Sequence, residues 1–326
     1  MQYRLAITVT ALLTVLNALS GPAQAQDAYP SRRLSVIVPY NPGATPDIIA
    51  RLVAPRLQAA LGQGIVILNR PGAGSIVGTR AVITSPPDGY TIGIVGNPQT
   101  IQHLITKSPT YVFANDVTPI SNAASGFYAL IVNPATSNFS SIADLIKYAK
   151  ANPGKLKYGS GGIATSPHLV GEWFNSVAGV DILHVPYSGP DQQNTALLRG
   201  DIEMGFTSPI YVASHVKAGK LKGLAVTLPE RDTAFFPTLP TLRESKVDLV
   251  YTYWIGFFGP AGMPQAIAQR LSREIAVILK DPQITEQLAQ SGLTALGDTP
   301  EQFKATIDLE TKIMTRVIET ARITPN

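Results

Sequence analysis

Two short segments of the chain repeat one arrangement of residues whose chemistry could hold an anion. Pro42-Gly43-Ala44-Thr45-Pro46-Asp47 leads from an apolar run, Leu34 to Pro39, into an apolar-periodic stretch. Gly161-Gly162-Ile163-Ala164-Thr165-Ser166-Pro167-His168 does the same midway along the chain. Each reads as a small-residue loop, a hydroxyl N-cap and a proline at the first helical position. A helix start of this kind leaves backbone N–H groups unpaired at the positive end of the helix dipole, with no bulky side chain in the way. It suits a carboxylate or a phosphate. Two such seats fit one anion gripped from two sides, although a single copy serves equally well as an ordinary capped βα turn.

Other chemistry finds little support. Arg70-Pro71-Gly72-Ala73-Gly74-Ser75-Ile76-Val77-Gly78 follows an apolar run as a dinucleotide loop would, but its glycines miss the usual spacing and no acidic residue ends the next strand, Thr91–Gly96. A structural turn is the better reading, and no cofactor is expected. No serine sits in a Gly-x-Ser-x-Gly elbow, since Gly159-Ser160-Gly161 belongs to the second seat. His103, His168, His184 and His215 show no paired metal-ligand spacing. His184, in an apolar run, reads as a core residue. His168 lies in the first turn of the second seat, where it either faces a ligand or packs. Asp47, in the matching place of the first seat, serves its own helix dipole and Arg51 four residues on, or accepts from a ligand hydroxyl or amine. Neither a catalytic group nor a metal site is legible, so the chain is not expected to be an enzyme.

The elements that must position the two seats are short and alternate. Leu34–Pro39, Ile65–Asn69, Thr91–Gly96, Tyr128–Asn133, Leu156–Gly159, Ile182–Pro186, Ile202–Phe206, Leu221–Thr227 and Trp254–Gly259 read as strands, with helix-like periodicity between them. Such alternation predicts parallel, doubly wound α/β sheets. The first helix is expected to turn Ile48, Leu52, Val53, Leu57 and Leu61 to the core and to stop at Gly62. Ser141 with Asp144 reads as a capping box, and Thr299-Pro300 with Gln302 opens a last helix whose face is Phe303, Ile307, Met314, Val317 and Ile318. Thr233–Thr241 is the most linker-like internal stretch. At 326 residues the chain exceeds the usual single core, and the 45% hydrophobic content is enough for two, so one lobe interrupted by another is expected.

The N-terminus reads as an export leader: Met1 to Arg4 is positive, Leu5 to Leu19 mainly apolar, and Ala23-Gln24-Ala25 a cleavage site. Loss of Arg4 with it leaves 25 basic against 22 acidic side chains, a net charge of +3 spread without runs, too mild for nucleic acid. With no cysteine, a thiol-linked lipid, a disulfide framework and a thiolate metal site are excluded.

Several ordered motifs carry a family resemblance. Tyr29-Pro30-Ser31, Val38-Pro39-Tyr40 with Pro42-Gly43, Asn69-Arg70-Pro71-Gly72-Ala73-Gly74, Pro87-Asp88-Gly89-Tyr90-Thr91, His184-Val185-Pro186-Tyr187 and Gly259-Pro260-Ala261-Gly262-Met263-Pro264 together resemble the Bug family. These are periplasmic solute-binding proteins of tripartite tricarboxylate transporters. The resemblance implies a two-lobed, type II periplasmic-binding fold, with lobe 1 at 26–125 and 249–326 and lobe 2 at 126–248. It implies a monomer that holds a small mono- or dicarboxylate through backbone N–H groups and waters, then docks on membrane transporter subunits. A sensor that presents its ligand to a receptor kinase, or an exported α/β enzyme, are the alternatives. Carried over residue by residue, the cleft positions are Pro42, Gly43, Ala44, Thr45, Pro46, Asp47, Asn97, Gly162, Ala164, Thr165, Ser166, His168 and Ser208. Ala44 and Ala164 stand where the family often has glycine, and each methyl trims room near the anion. Tyr40, Phe127 and Tyr128 could add an aromatic wall or pack in the core at the sheet edges.

Overall fold

The computed structural model describes residues 29–320, apart from 164, and residue 323. The expected leader, residues 1–25, lies outside the described residues. Among these residues no helix is long and apolar enough to cross a membrane.

The apolar runs become strands because both of their faces are covered. In the first lobe, β1 (Leu34–Val38) leads into α1 (Thr45–Leu61), followed by β2 (Ile65–Asn69), α2 (Ile76–Ile83), β3 (Thr91–Gly96) and β4 (Val117–Phe127). Only Tyr128 separates β4 from β5 (Ala129–Val132), the first strand of the second lobe. There the chain continues through α3 (Ile142–Ala151), β6 (Lys157–Ser160), α4 (Ser166–Ala178), β7 (Leu183–Pro186), α5 (Pro190–Arg199), β8 (Met204–Thr207), α6 (Pro209–Lys217) and β9 (Lys222–Val226). It returns to the first lobe through β10 (Thr252–Pro260), α7 (Gln265–Leu279), α8 (Pro282–Gln290), β11 (Leu293–Ala295) and α9 (Pro300–Thr320).

Six strands form one sheet in the order β11-β4-β10-β3-β1-β2, and five form the other in the order β7-β6-β8-β5-β9. Each sheet has an apolar layer on both faces. Val36, Ile49, Val53 and Ile94 lie in one layer of the first lobe and Ile37, Val95 and Phe258 in the other. Leu130, Tyr158 and Phe206 oppose Ile131, Leu197 and Val226 in the second lobe. The alternation predicts parallel sheets, but neither sheet is wholly parallel. β10 runs antiparallel to β3 and β4, and β5 antiparallel to β8 and β9. These strands enter or leave at the passages between lobes, so they need no crossover helix of their own.

Helix α9 ties the lobes together. Phe303 and Ile307 pack with Trp254 and Phe258 in the first lobe, whereas Met314, Val317 and Ile318 pack into the core of the second. All five are buried, as the periodicity predicts. Gly256 on β10 makes the anchor possible, since a Cβ there would meet the Phe303 ring at 2.2 Å. Ser141 Oγ accepts from Asp144 N at 3.1 Å where the capping box is expected, and at the start of α9 Thr299 exchanges bonds with Gln302 at 2.9 and 3.3 Å.

Candidate functional site

The first seat forms where β1 hands over to α1. The helix begins one residue earlier than expected: Ala44 is the N-cap, Thr45 the first helical residue and Pro46 the second. No side chain caps the first turn, so its N–H groups are not taken up by the Thr45 hydroxyl. Gly43 turns the chain at φ 85°, a conformation that favours glycine. Asp47 is 2% exposed and sits beneath this loop. Its carboxylate accepts from Gly43 N at 2.9 Å, Arg51 Nε at 2.9 Å and Asn69 Nδ2 at 2.8 Å. Burial works to raise the Asp47 pKa, but the bonds from Arg51, Gly43 and Asn69 outweigh it and hold the group below its ordinary value. Asp47 therefore shapes the loop from below.

The second seat rests on a buried network. Ser160, at the end of β6, donates to Gly162 O at 2.8 Å, accepts from Gly162 N at 3.1 Å and lies 2.7 Å from His184 Nε2. Thr165, the N-cap of α4, turns its hydroxyl back to Gly162 O at 2.7 Å and makes no side-chain cap. His184 stacks on His168 with ring centroids 4.0 Å apart, and burial pushes both imidazoles down to about 4. They are neutral at pH 7. The pair Ser160–His184 has the spacing of a nucleophile and its base. Ser160 is fully buried and committed to the Gly162 loop, so it presents no oxygen to a substrate.

Between the lobes lies a cavity of about 610 Å³ at which both seats meet. Gly43 and Thr45 line it from one side, Gly161, Thr165 and Pro167 from the other. Two more helix starts reach the same space: α5 through Pro190 and Gln193, and α6 through Ser208, Ile210 and Tyr211. All four helices carry proline within their first two positions, and none has a side-chain cap. Among the described residues, no Lys, Arg, His, Asp or Glu lines it. The walls are otherwise apolar or bear neutral hydroxyls and amides. Tyr128 and Tyr253 pack at 5.1 Å between centroids, Tyr253 OH lies 3.1 Å from Ser208 Oγ, and α8 adds Gln287, Leu288 and Gln290. Ile48 and Leu52, expected in the core, face this cavity instead, and Ile48 is 48% exposed.

Of the residues expected at the cleft, Gly43, Thr45, Thr165, Ser208 and Tyr128 line the cavity. Ala164 lies outside the described residues. The others stand behind or beside the wall. Pro42 is exposed, Ala44 and Pro46 frame the first seat, and Gly162, Ser166 and His168 frame the second. Asn97 is buried beneath, donating to Tyr251 OH and to Glu310 Oε1 while Ser166 Oγ lies 3.5 Å from its Oδ1. The proposed aromatic wall is different in composition. Tyr40 turns to β3 and accepts from Gly96 N at 3.2 Å, and Phe127 packs in the second lobe's core. Successive strand residues point to opposite faces, so with Phe127 in the core its neighbour Tyr128 reaches the cavity, joined there by Tyr253, Phe206 and Tyr211.

Residues 49–323 match the family described as tripartite tricarboxylate transporter family receptor. The chain is 33% identical over 306 residues to a UPF0065 protein of a Pseudomonas species, covering 93% of this chain and 90% of that one. It is 31% identical over 310 residues to BugT of Bordetella pertussis, covering 92% and 94%. An R. palustris protein solved with adipate superposes with a TM-score of 0.76 at 30% identity, over 91% of this chain and 100% of that one. The periplasmic binding protein BugD superposes with a TM-score of 0.74 at 26% identity, over 91% of this chain and 100% of that one. This chain belongs to the tripartite tricarboxylate transporter receptor family, the Bug-type solute-binding proteins, and not to a family of enzymes.

Proposed function

We propose that the chain is an exported, periplasmic solute-binding protein that captures an organic carboxylate in the interlobe cavity and delivers it to a membrane transporter. The observation that carries this reading is a cavity lined by four uncapped helix starts and no charged side chain. Helix N-termini favour negative charge, and neutral walls add no competing carboxylate. The same neutrality narrows the ligand. A compact tricarboxylate would bring three charges into a space without a cation, at a desolvation cost that the dipoles do not offset. A mono- or dicarboxylate with a hydrocarbon body suits Ile48, Leu52, Phe206 and Leu288, with Gln287 and Gln290 to receive a further polar end. The adipate held by the R. palustris relative is of this class.

A thermal-shift panel of adipate, benzoate, citrate and dimethyl adipate tests the reading. A ligand at 100 times its Kd stabilises the fold by about 2.7 kcal/mol, enough for a shift of several degrees. Adipate or benzoate is expected to shift the melting temperature, and citrate and the ester are not. Equal shifts from the acid and its ester would overturn the role of the helix starts. Recovery of the exported chain beginning near Gln26 tests the leader, and co-purification with membrane permease subunits tests the partner.

A further inference from the structure

A second groove, of about 560 Å³, opens away from the ligand cavity along α9. Its walls come from both lobes. Trp173 on α4 faces it from one side, Trp254 and Asn122 from the other, and Leu309, Glu310 and Ile313 of α9 run along it. Its lining includes the amide of Asn122 and two acidic side chains away from the rim, Asp298 and Glu310. Asn122 is 3% exposed, yet its Oδ1 has no hydrogen-bond partner in the structure. Beside it lies Asp298, raised above its ordinary pKa by burial against a lowering bond from Asn122. Glu310 accepts from Trp254 Nε1 and Asn97 Nδ2, and burial pushes it up to about 8. Among the described residues neither carboxylate forms an ion pair. The one cation in the lining, Arg243, stands at the exposed rim bound to Asp248 at 3.0 Å.

A buried acceptor without a donor is costly, and the Asp298 carboxylate in a partly dry groove is unfavourable without a counter-charge. Indole faces add a surface that attracts cations. We propose that this groove is a second binding site, for a small organic cation whose ammonium group donates to Asn122 Oδ1 and Asp298 while its apolar body lies against Trp173 and Ile313. The cleft cannot take such a ligand, because its helix starts repel positive charge. The site is thus opposite in sign to the first and stands independently of the carboxylate reading.

The two tryptophans of the chain both line this groove and neither lines the cleft, so their emission reports its occupancy. The full exported chain is titrated with 2-phenylethylammonium, and separately with phenylacetate, which matches its ring and reverses its charge. The amine should change the emission saturably and phenylacetate should not. Asp298→Asn removes one charged acceptor and should weaken the amine by about tenfold. Leu309→Lys, at a position already 59% exposed, places a cation in the groove without disturbing the core and should weaken it as much. An amine response that is absent, is matched by phenylacetate, or is unchanged in Leu309→Lys overturns the proposal. The outcome for Asp298→Asn counts only if its melting temperature shows that it folds, and Leu309→Lys decides otherwise.

Discussion

Replacing Ser160 by alanine separates two roles that its geometry invites. The hydroxyl is fully buried and touches Gly162 N, Gly162 O and His184 Nε2 within 3.1 Å. Gly162 O keeps its bond from Thr165 Oγ1 at 2.7 Å, so the substitution leaves two groups without partners: Gly162 N–H and His184 Nε2. Each unmet group costs about 1–3 kcal/mol, so the expected loss is about 2–6 kcal/mol, or roughly 3–10 °C in Tm for a chain of this length. Binding should suffer as well. Freeing the Gly161-Gly162 backbone means that its order must be restored when ligand arrives, at about 1–2 kcal/mol per residue, or tenfold or more in affinity. Differential scanning calorimetry gives the first quantity and titration calorimetry with adipate the second. If Ser160→Ala melts and binds as the parent does, the buried network does not hold the seat. If it retains affinity and loses a hydrolytic activity, the Ser160–His184 pair is catalytic and the binding-protein reading fails.

Two further outcomes test the neighbouring parts. Gly43→Val should lose adipate affinity by about tenfold, because a β-branched residue at φ 85° distorts the first seat although no atom lies within 4 Å of its Cβ, while Arg51→Ala, which removes only Asp47's exposed partner, should bind nearly as the parent does; the reverse order in calorimetry would replace helix starts with an arginine clamp. Stability should peak near pH 6.5: His168 and His184, lowered from 6.5 to about 4, lose their contribution as pH falls through that window, and Glu310, raised from 4.5 to about 8, loses its own as pH rises, with partial exposure of Glu310 softening the upper limb. Glu310→Gln should flatten the fall between pH 6.5 and 8 in denaturant titrations, and an unchanged curve would remove Glu310 as its source.

Nine strands were legible because most are short apolar runs, those inside the sheets covered on both faces and the edge strands β2 and β7 only in part. The two that were not, β4 and β11, lack that signal for different reasons. β4 reads Val117-Thr-Pro-Ile-Ser-Asn-Ala-Ala-Ser-Gly-Phe127, and its proline, small and polar residues break both the run and the alternation. β11 has three residues. The site was legible in part. Small-residue loops followed by proline marked the seats, and the same pattern at Gly189-Pro190 and Ser208-Pro209 marks the other two helix starts. Ile48 and Leu52 were misplaced because a cavity wall and a core have the same composition, so periodicity alone cannot tell them apart. Gln287, Gln290 and Tyr253 carry no local signal at all, since long-range topology brings them to the cleft.

The absence of a lysine or arginine from the cavity wall bears on how the proposed capture and release would work. A guanidinium attracts a carboxylate over about a Debye length, roughly 8–10 Å, and would hold it on one lobe whether or not the other arrived. A helix dipole acts mainly within its first turn, about 5 Å. The second lobe alone then offers three helix starts and the first lobe one, and the four act together only when the lobes stand close. Ligand therefore favours the closed arrangement by the contacts that closure adds, and a partner that separates the lobes needs only to undo those contacts. The same short range explains why Asp47 is tolerated beneath the first seat: Arg51, Gly43 and Asn69 satisfy its charge on the far side of the loop, so the carboxylate in the cleft meets the N–H groups above it rather than the anion below.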